Sequence, residues 1–315
     1  MLTPIQAVSN DTFLPERLNL AIGKRCFVSC QGCYTNFGRH EPDLKRLLES
    51  VSRFVDLGVR DITISGGDPL TVNNLLFFLD DLRQLKVRSI KLDTVGTHLI
   101  QNPLRGEIPP GLEGWPSLHS LLRRLDFLGI PLDGWSNATV SLFRAGRSQL
   151  YEETVALLDA IDGKAACPMV IINTVAHAMN LSGLSRIGQE ILRHLAVCHW
   201  NIFQFSPTDQ VSEEINAAYR ITDAMFHTAE KAWRNSPASH SGTTKGVTTE
   251  FRSVRSRLGH YLLINSDGVA WVPDECGQTI SLGAVYQNEY QVLSDWSKTV
   301  LRLRALRNPS ARIEP

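Results

Sequence analysis

Three closely spaced cysteines constrain this chain more than any other feature of its sequence. Cys26, Cys30 and Cys33 lie in the segment RCFVSCQGCY with C-x3-C-x2-C spacing. Thiolates gathered on so short a loop can bind a soft metal centre, and zinc and iron–sulfur clusters are the usual occupants. A structural zinc site needs four ligands, whereas three ligands suit a four-iron cluster that leaves one iron open. A zinc knuckle or fortuitous cysteines are the alternatives.

The composition is that of a folded protein without net charge. Of 315 residues, 43% are hydrophobic, and 32 Lys+Arg balance 32 Asp+Glu. We therefore expect a packed core and neither a nucleic-acid nor a membrane partner. No apolar run approaches the roughly 20 residues that span a bilayer. The six cysteines are too few and too clustered for a secreted disulfide framework, and the first residues lack a signal peptide, so we expect a cytoplasmic protein.

Strands and helices alternate up to residue 206. Strands are predicted at residues 18–22, 59–65, 89–94, 129–134, 169–175 and 200–206. Helices are predicted at 43–57, 75–85, 117–128, 149–161 and 184–195. This alternation implies a parallel sheet with crossover helices, and ligands then lie at the carboxyl ends of its strands. The cysteine loop follows the first strand, which places it at that end.

Two regions interrupt or follow this alternation. Residues 96–116 are rich in Pro and Gly, which predicts a long functional loop. Beyond residue 206 the pattern predicts a helix at 213–234 and a flexible polar loop at 235–249. A hairpin is then expected, with strands at 261–265 and 269–272.

A second motif ends the predicted second strand. It consists of Ser65, Gly66, Gly67, Asp68 and Pro69. Paired glycines let a backbone approach a ligand closely, and their carbonyl groups can accept hydrogen bonds from an ammonium group. An ordinary strand-to-helix turn is the structural alternative.

Together the two motifs resemble those of the radical S-adenosylmethionine (radical SAM) superfamily. The resemblance implies a [4Fe-4S] cluster on Cys26, Cys30 and Cys33, whose open iron chelates S-adenosylmethionine. Reduction then breaks the sulfonium bond and yields a 5′-deoxyadenosyl radical that abstracts hydrogen from a C–H bond. The family's G-G-E-P motif, which receives the cofactor's amino group, has Asp68 in place of Glu here. Many members have an aromatic residue before the third cysteine, where this chain has Gly32 with Tyr34 following.

The resemblance also implies a fold and further cofactor contacts. The fold is α/β, a partial (β/α)6 TIM barrel at residues 15–208, with an extension at 1–14 and a small α+β capping lobe at 209–315. Predicted cofactor contacts outside the cysteines are Tyr34, Ser65, Gly66, Gly67, Asp68, Pro69, Thr94, Asp133 and Asn173. Asp133 as a turn residue and Asn173 as a satisfied buried amide are the structural alternatives. The electron donor is expected to be a flavodoxin or ferredoxin.

The C-terminal segment resembles SPASM or twitch lobes, which carry a hairpin followed by a cysteine. Only Cys276 lies there, so an auxiliary cluster is not expected. Cys276 is predicted either to donate a hydrogen atom to a substrate radical, as in radical epimerases, or to be a small packed residue.

The expected substrate is a small sugar or sugar nucleoside of antibiotic biosynthesis. The leading hypothesis, by resemblance, is decarboxylation of a uronic-acid nucleoside, with Arg144 and Arg147 as clamps for the substrate anion. A solvated helix start is the alternative for these arginines. The other functional hypotheses are a sugar epimerase that uses Cys276, a peptide-modifying radical SAM enzyme and a zinc-binding protein without enzyme activity.

Overall fold

The computed structural model describes residues 13–35, 38, 40–96, 99, 117–162, 168–244 and 246–307. Most of the predicted loop at 96–116 and most of the predicted N-terminal extension lie outside these residues. No helix within them has both the length and the apolar character needed to cross a membrane.

The strands follow the chain in the order expected for crossover connections. They are β1 (Arg17–Ala21), β2 (Ser29–Cys30), β3 (Asp61–Ser65), β4 (Ser89–Asp93), β5 (Phe127–Pro131), β6 (Arg144–Ala145), β7 (Met169–Ala176), β8 (Val197–Gln204), β9 (Thr248–Arg252), β10 (Tyr261–Ile264), β11 (Val269–Pro273) and β12 (Thr279–Ala284).

The helices lie mainly between these strands. They are α1 (Leu44–Asp56), α2 (Leu75–Gln84), α3 (Leu118–Leu122), α4 (Asn137–Ser141), α5 (Leu150–Asp162), α6 (Leu184–Ile191), α7 (Glu213–Tyr219), α8 (Asp223–Arg234), α9 (Pro237–Thr244), α10 (Val254–Arg257) and α11 (Glu289–Arg307). Single 3-10 turns occupy Pro69–Thr71 and Leu181–Gly183.

The fold is α/β, as predicted, and is built on one large sheet. Among the described residues ten strands pair in the order β12-β11-β10-β1-β3-β4-β5-β7-β8-β9. All neighbours from β10 to β9 are parallel, while β11 and β12 continue the sheet in antiparallel fashion.

The parallel part of the sheet curves until its two ends meet. Strands β9 and β10 stand at opposite ends of the parallel order, yet Arg252 on β9 donates to the hydroxyl of Tyr261 on β10. No ladder pairing joins these two strands within the described residues. The sheet is therefore an open barrel whose last gap is bridged by side chains.

Side-chain alternation gives this sheet an apolar outer face and a polar inner face. On β4, Ile90 and Leu92 are fully buried against the helices, while Lys91 and Asp93 point the other way and are half-buried. Local signals also begin the helices. The side chain of Asp43, for example, accepts hydrogen bonds from the first turn of α1, where backbone N–H groups lack helical partners.

Three predicted elements differ most from the structure in extent. The helix expected at 117–128 ends at Leu122, because residues 127–131 are recruited into the sheet as β5. The helix expected at 213–234 is two helices, since Arg220 is extended and Thr222 caps α8. The loop expected at 235–249 contains α9 and the start of β9, whose pairing with β8 leaves no local sequence signal.

The residues beyond 208 extend the same sheet at both ends. They supply β9 beside β8, and β10 beside β1. The predicted hairpin of β10 and β11 is present around Asp267-Gly268. Helix α11 packs near α1, where Glu289 accepts hydrogen bonds from Ser50 and Arg53. The domain boundary at 208 and the capping role stay predictions.

Candidate functional site

The cysteine loop, residues 24–34, lies at the carboxyl end of β1 and is tied to the carboxyl end of β3. Backbone N–H groups of Gly67 and Asp68 donate to the carbonyl oxygens of Gly23 and Arg25, at 2.8 and 2.7 Å. The hydroxyl of Thr71 donates to the Arg25 carbonyl at 3.1 Å. The two motifs singled out in the sequence are therefore bonded to each other directly.

Gly67 is required by this close approach of two backbones. A Cβ atom built on it would lie 2.0 Å from the carbonyl oxygen of Arg25. Backbone atoms cannot move aside as a flexible side chain can, so any side chain at this position would push the cysteine loop away.

The buried carboxylate of Asp68 stabilises the same turn through hydrogen bonds. It is 1% exposed and accepts hydrogen bonds from the Thr94 hydroxyl and from the backbone N–H groups of Val95 and Leu70, at 2.7 to 3.0 Å. Burial raises the pKa of Asp68, and these hydrogen bonds oppose that shift. Asp68 and Thr94 thus connect the carboxyl ends of β3 and β4.

The middle cysteine, Cys30, is held by residues that follow β5 in the chain. Strands β2 and β6 form a short antiparallel ladder in which Cys30 is the partner of Arg144. The guanidinium Nη1 of Arg144 lies 3.2 Å from the Cys30 sulfur, and the same guanidinium pairs with the fully buried carboxylate of Asp133. Asp133 in turn accepts a hydrogen bond from the backbone of Val175.

The three thiols share one loop and one electrostatic environment. Burial raises the pKa of Cys30 to about 11, while the charge of Arg144 acts in the opposite direction. Within the described residues no group of three or more His, Cys, Asp or Glu side chains converges on a single metal-ion position. A cluster binds each cysteine through a different iron, so its ligands need not converge on one point. Three cysteines with a cation beside one sulfur fit the ligand set of an iron–sulfur cluster.

The predicted anion clamps already have carboxylate partners. Arg144 pairs with Asp133, and Arg147 donates to both oxygens of Glu153 at 2.6 and 2.8 Å. Both arginine side chains are 14% exposed. The structure shows that both arginines pair with carboxylates. Their role in binding a substrate anion stays a prediction.

The inner face of the sheet carries a connected set of polar side chains, the inner polar network. Asn173 belongs to it, because its amide donates to Asp93 at 3.3 Å and accepts from Asn201 at 3.0 Å. The network crosses the sheet from β4 to β10 through Lys91, Asp93, Asn173, Asn201, His199, Glu250, Arg252 and Tyr261. The interior of the barrel is therefore suited to polar rather than apolar molecules.

An aromatic cluster packs against the side of the cysteine loop that lies opposite Gly67. It consists of Phe143, His177, Phe205 and Tyr219, whose ring centroids lie 5.1 to 6.2 Å apart. Gly32 packs against it, since a Cβ atom there would lie 2.4 Å from the Phe205 ring. Sequence reasoning missed these residues, because they are spread along the chain and no spacing unites them.

Cys276 is exposed in the turn between β11 and β12. Asp274 organises this turn by accepting hydrogen bonds from the N–H groups of Cys276 and Gln278, both at 2.8 Å. The turn rests on the segment after β8, because Thr279 donates to Asp209 at 2.9 Å. The lone thiol is thus held near the carboxyl ends of the strands, and its predicted hydrogen-donor role is left to experiment.

No family model and no curated protein sequence matches the chain. Several solved structures share its fold. Streptococcus suis SuiB bound to S-adenosylmethionine superposes with a TM-score of 0.64 at 11% identity, over 89% of this chain and 65% of that one. SuiB bound to precursor peptide SuiA gives 0.62 at 13% identity, over 90% of this chain and 64% of that one.

A shorter protein gives a similar result. Native anSMEcpe with bound AdoMet and Cp18Cys peptide superposes with a TM-score of 0.60 at 13% identity, over 89% of this chain and 80% of that one. The chain spans slightly less than two thirds of the length of SuiB. At these identities the likeness concerns the fold.

Proposed function

We propose that this chain is a radical SAM enzyme in which Cys26, Cys30 and Cys33 hold a [4Fe-4S] cluster. The observation that carries the proposal is the backbone bonding between the cysteine loop and the turn at Gly67 and Asp68. Proteins crystallised with S-adenosylmethionine share the fold. When bound, such a cluster supplies the electron that splits the sulfonium of S-adenosylmethionine and releases a 5′-deoxyadenosyl radical.

The chain's own residues would bind and orient this pair of cofactors. Gly66 and Gly67 would bind the methionine end of S-adenosylmethionine, on a turn that Asp68 and Thr94 position from below. Arg144 would position the Cys30 thiolate. The other predicted cofactor contacts, namely Tyr34, Ser65, Pro69, Asp133 and Asn173, belong to the same proposal.

The substrate that we propose is a small polar molecule. The inner polar network offers hydrogen-bond donors and acceptors across the barrel interior, which suits a hydroxyl-rich compound such as a sugar or nucleoside. Decarboxylation of a uronic-acid nucleoside is the leading reaction, and epimerisation with Cys276 as hydrogen donor is the close alternative. In deuterated solvent, an epimerase would place deuterium in its product, and Cys276→Ala would remove that label.

Peptide modification is a second candidate. It is favoured by two proteins of similar fold, which were crystallised with a precursor peptide and with the Cp18Cys peptide. A peptide substrate would have to enter the polar interior as an extended segment, and a panel of short peptides tested beside sugars would discriminate between the two classes.

The experiment that tests the enzyme class is anaerobic reconstitution with iron and sulfide. We expect about four irons and four sulfides per chain, with an absorption band near 400 nm. Dithionite and S-adenosylmethionine should then yield 5′-deoxyadenosine, and the Cys26→Ala, Cys30→Ala, Cys33→Ala triple variant should yield none. One zinc per chain without such a band would support the zinc-protein hypothesis instead.

A further inference from the structure

Arg257 has no carboxylate partner among the residues that the structure describes. Arg257, at the end of α10, donates through Nη2 to the carbonyl oxygen of Gln204 at 2.7 Å and to the hydroxyl of Ser206 at 3.1 Å. Its Nε donates to the carbonyl oxygen of Ser253 at 3.3 Å. All three acceptors are neutral, so the positive charge of Arg257 is not compensated by them.

Three other half-buried arginines differ in this respect. Arg144 pairs with Asp133, Arg147 with Glu153, and Arg252 with Glu250. Within the described residues no salt bridge involves Arg257. A charge taken out of water without a partner is costly, so an unpaired arginine in such a position calls for an anion supplied from outside.

The hydrogen-bond pattern leaves one part of the guanidinium open. Nη2 already makes two contacts and Nε makes one, while Nη1 has no acceptor among the described residues. Because a guanidinium has five N–H donors, two remain available on Nη1. The guanidinium lies 5.4 Å from the ring centroid of Phe203, which supports one of its faces.

Arg257 also lies where a substrate would have to bind. Its acceptors Gln204 and Ser206 stand at the carboxyl end of β8, and α10 bridges β9 and β10 at the gap of the barrel. Phe205 lies between these two acceptors in the chain, and its ring is 2.4 Å from the position that a Cβ atom on Gly32 of the cysteine loop would take. The guanidinium therefore lies beside the part of the chain that the cysteine loop contacts.

Arg257 is half-buried, so its charge is partly removed from water. Burial accordingly lowers the pKa of Arg257 to about 10, because it disfavours the charged form. A bound anion would offset this cost.

We propose that Arg257 binds a carboxylate group of the substrate, and this inference rests on the proposed function. Nη1 donates to the carboxylate from the β8–β10 side of the barrel, while the reacting C–H bond faces the cysteine loop on the β1–β3 side. Arg257 is then the anchor for the substrate anion, and Arg144 and Arg147 keep their carboxylate partners. The substrate class is a small organic acid, which includes a uronic-acid nucleoside.

The test is arginine labelling of the reconstituted wild-type protein with phenylglyoxal, followed site by site with peptide mass spectrometry. Arg255 is the internal control, because it lies on the same helix and is exposed. We expect acetate to slow the labelling of Arg257 at least about threefold relative to chloride at equal ionic strength, with no effect on Arg255. Inorganic phosphate is the second probe and should protect Arg257 less than acetate does.

Several results would overturn the proposal. The proposal is wrong if phosphate slows the labelling of Arg257 and acetate does not, or if labelling is equally fast in acetate and in chloride. It is also wrong if phenylglyoxal does not label Arg257 at all. A further measurement compares S-adenosylmethionine affinity in Arg257→Gln and Arg255→Gln. A tenfold loss confined to Arg257→Gln would make Arg257 a cofactor contact and remove it from the substrate site. None of these readouts needs turnover, so a failure to form 5′-deoxyadenosine would count against the enzyme class alone.

Discussion

The two sides of the cysteine loop are built in different ways. On the β3 side, backbone groups of Gly67 and Asp68 bond to backbone carbonyls of Gly23 and Arg25. On the opposite side, side chains make the contacts: the Arg144 guanidinium lies beside Cys30, which is 114 positions away in the chain, and the Phe205 ring covers Gly32. The comparison teaches that the backbone fixes where the loop lies, while distant side chains set its chemical environment.

The sharpest test of this division is Gly67→Ala. The added Cβ atom would meet the Arg25 carbonyl at 2.0 Å, so the loop must shift and we expect almost complete loss of bound iron after reconstitution. The control is Gly246→Ala, whose φ of +80° makes the substitution strained, while no atom of the described residues other than its chain neighbours lies within 4 Å of the new Cβ. That variant should lose about 1–2 kcal/mol of stability and keep its iron. Wild-type iron content in Gly67→Ala would contradict the conclusion that backbone contacts at Gly67 fix the position of the cysteine loop.

The same division explains which parts of the fold and the site could be predicted from the sequence. The cysteine loop and the turn at Gly66 to Asp68 are contiguous motifs, and the strands β1, β3 and β4 that place them show local periodicity, so they were predicted within a few residues. Strand β9 and Phe205 were out of reach, because their roles arise only when β8 pairs with β9 and the sheet curves. The sequence also did not show that Arg144 has a carboxylate partner while Arg257 has none among the described residues. The pairing of Arg144 with Asp133 arises on folding, and no sequence spacing indicates it.

Because it contains His177, the aromatic cluster should make the stability of the protein depend on pH. His177 is fully buried, and burial lowers its pKa from 6.5 to about 4. The unfolded chain therefore takes up a proton below about pH 6.5, while the folded protein resists until about pH 4. The stability from this residue is complete above pH 6.5 and decreases as the pH falls, by up to about 3 kcal/mol.

Urea unfolding of the wild type and His177→Phe between pH 7 and pH 4 measures this effect. The variant keeps a ring stacked on Phe143 but has no proton to bind, so its free energy of unfolding should fall less steeply with decreasing pH. Parallel curves for the two proteins would show that the aromatic cluster does not carry the acid sensitivity.

A smaller effect tests whether Phe205 occupies the space beside Gly32. Gly32→Ala should cost about 1–3 kcal/mol, because its Cβ atom would lie 2.4 Å from the ring. Trimming the ring in Phe205→Leu should make room, so the double variant should be more stable than the sum of the single changes predicts by at least about 1 kcal/mol. Strict additivity in a double-mutant cycle would mean that the loop adjusts its backbone, which would weaken the comparison between the two sides.

The finest test concerns the chemical environment that Arg144 provides for Cys30. Hydrogen bonds and positive charge at a ligating sulfur favour the reduced cluster. Removing both should therefore make reduction about tenfold less favourable, or about 59 mV more negative for one electron. Because Arg144→Met alone would leave the carboxylate of Asp133 buried without a cationic partner, the variant to use is Asp133→Asn, Arg144→Met. The matched control is Glu153→Gln, Arg147→Met, which removes a pair whose arginine is shielded to the same extent and donates no hydrogen bond to a cysteine sulfur in the described part of the chain. A spectroelectrochemical titration of the reconstituted proteins should find the first pair shifted and the control unchanged. If both pairs shift equally, loss of a shielded ion pair accounts for the effect, and the Arg144–Cys30 contact has no specific influence on the cluster.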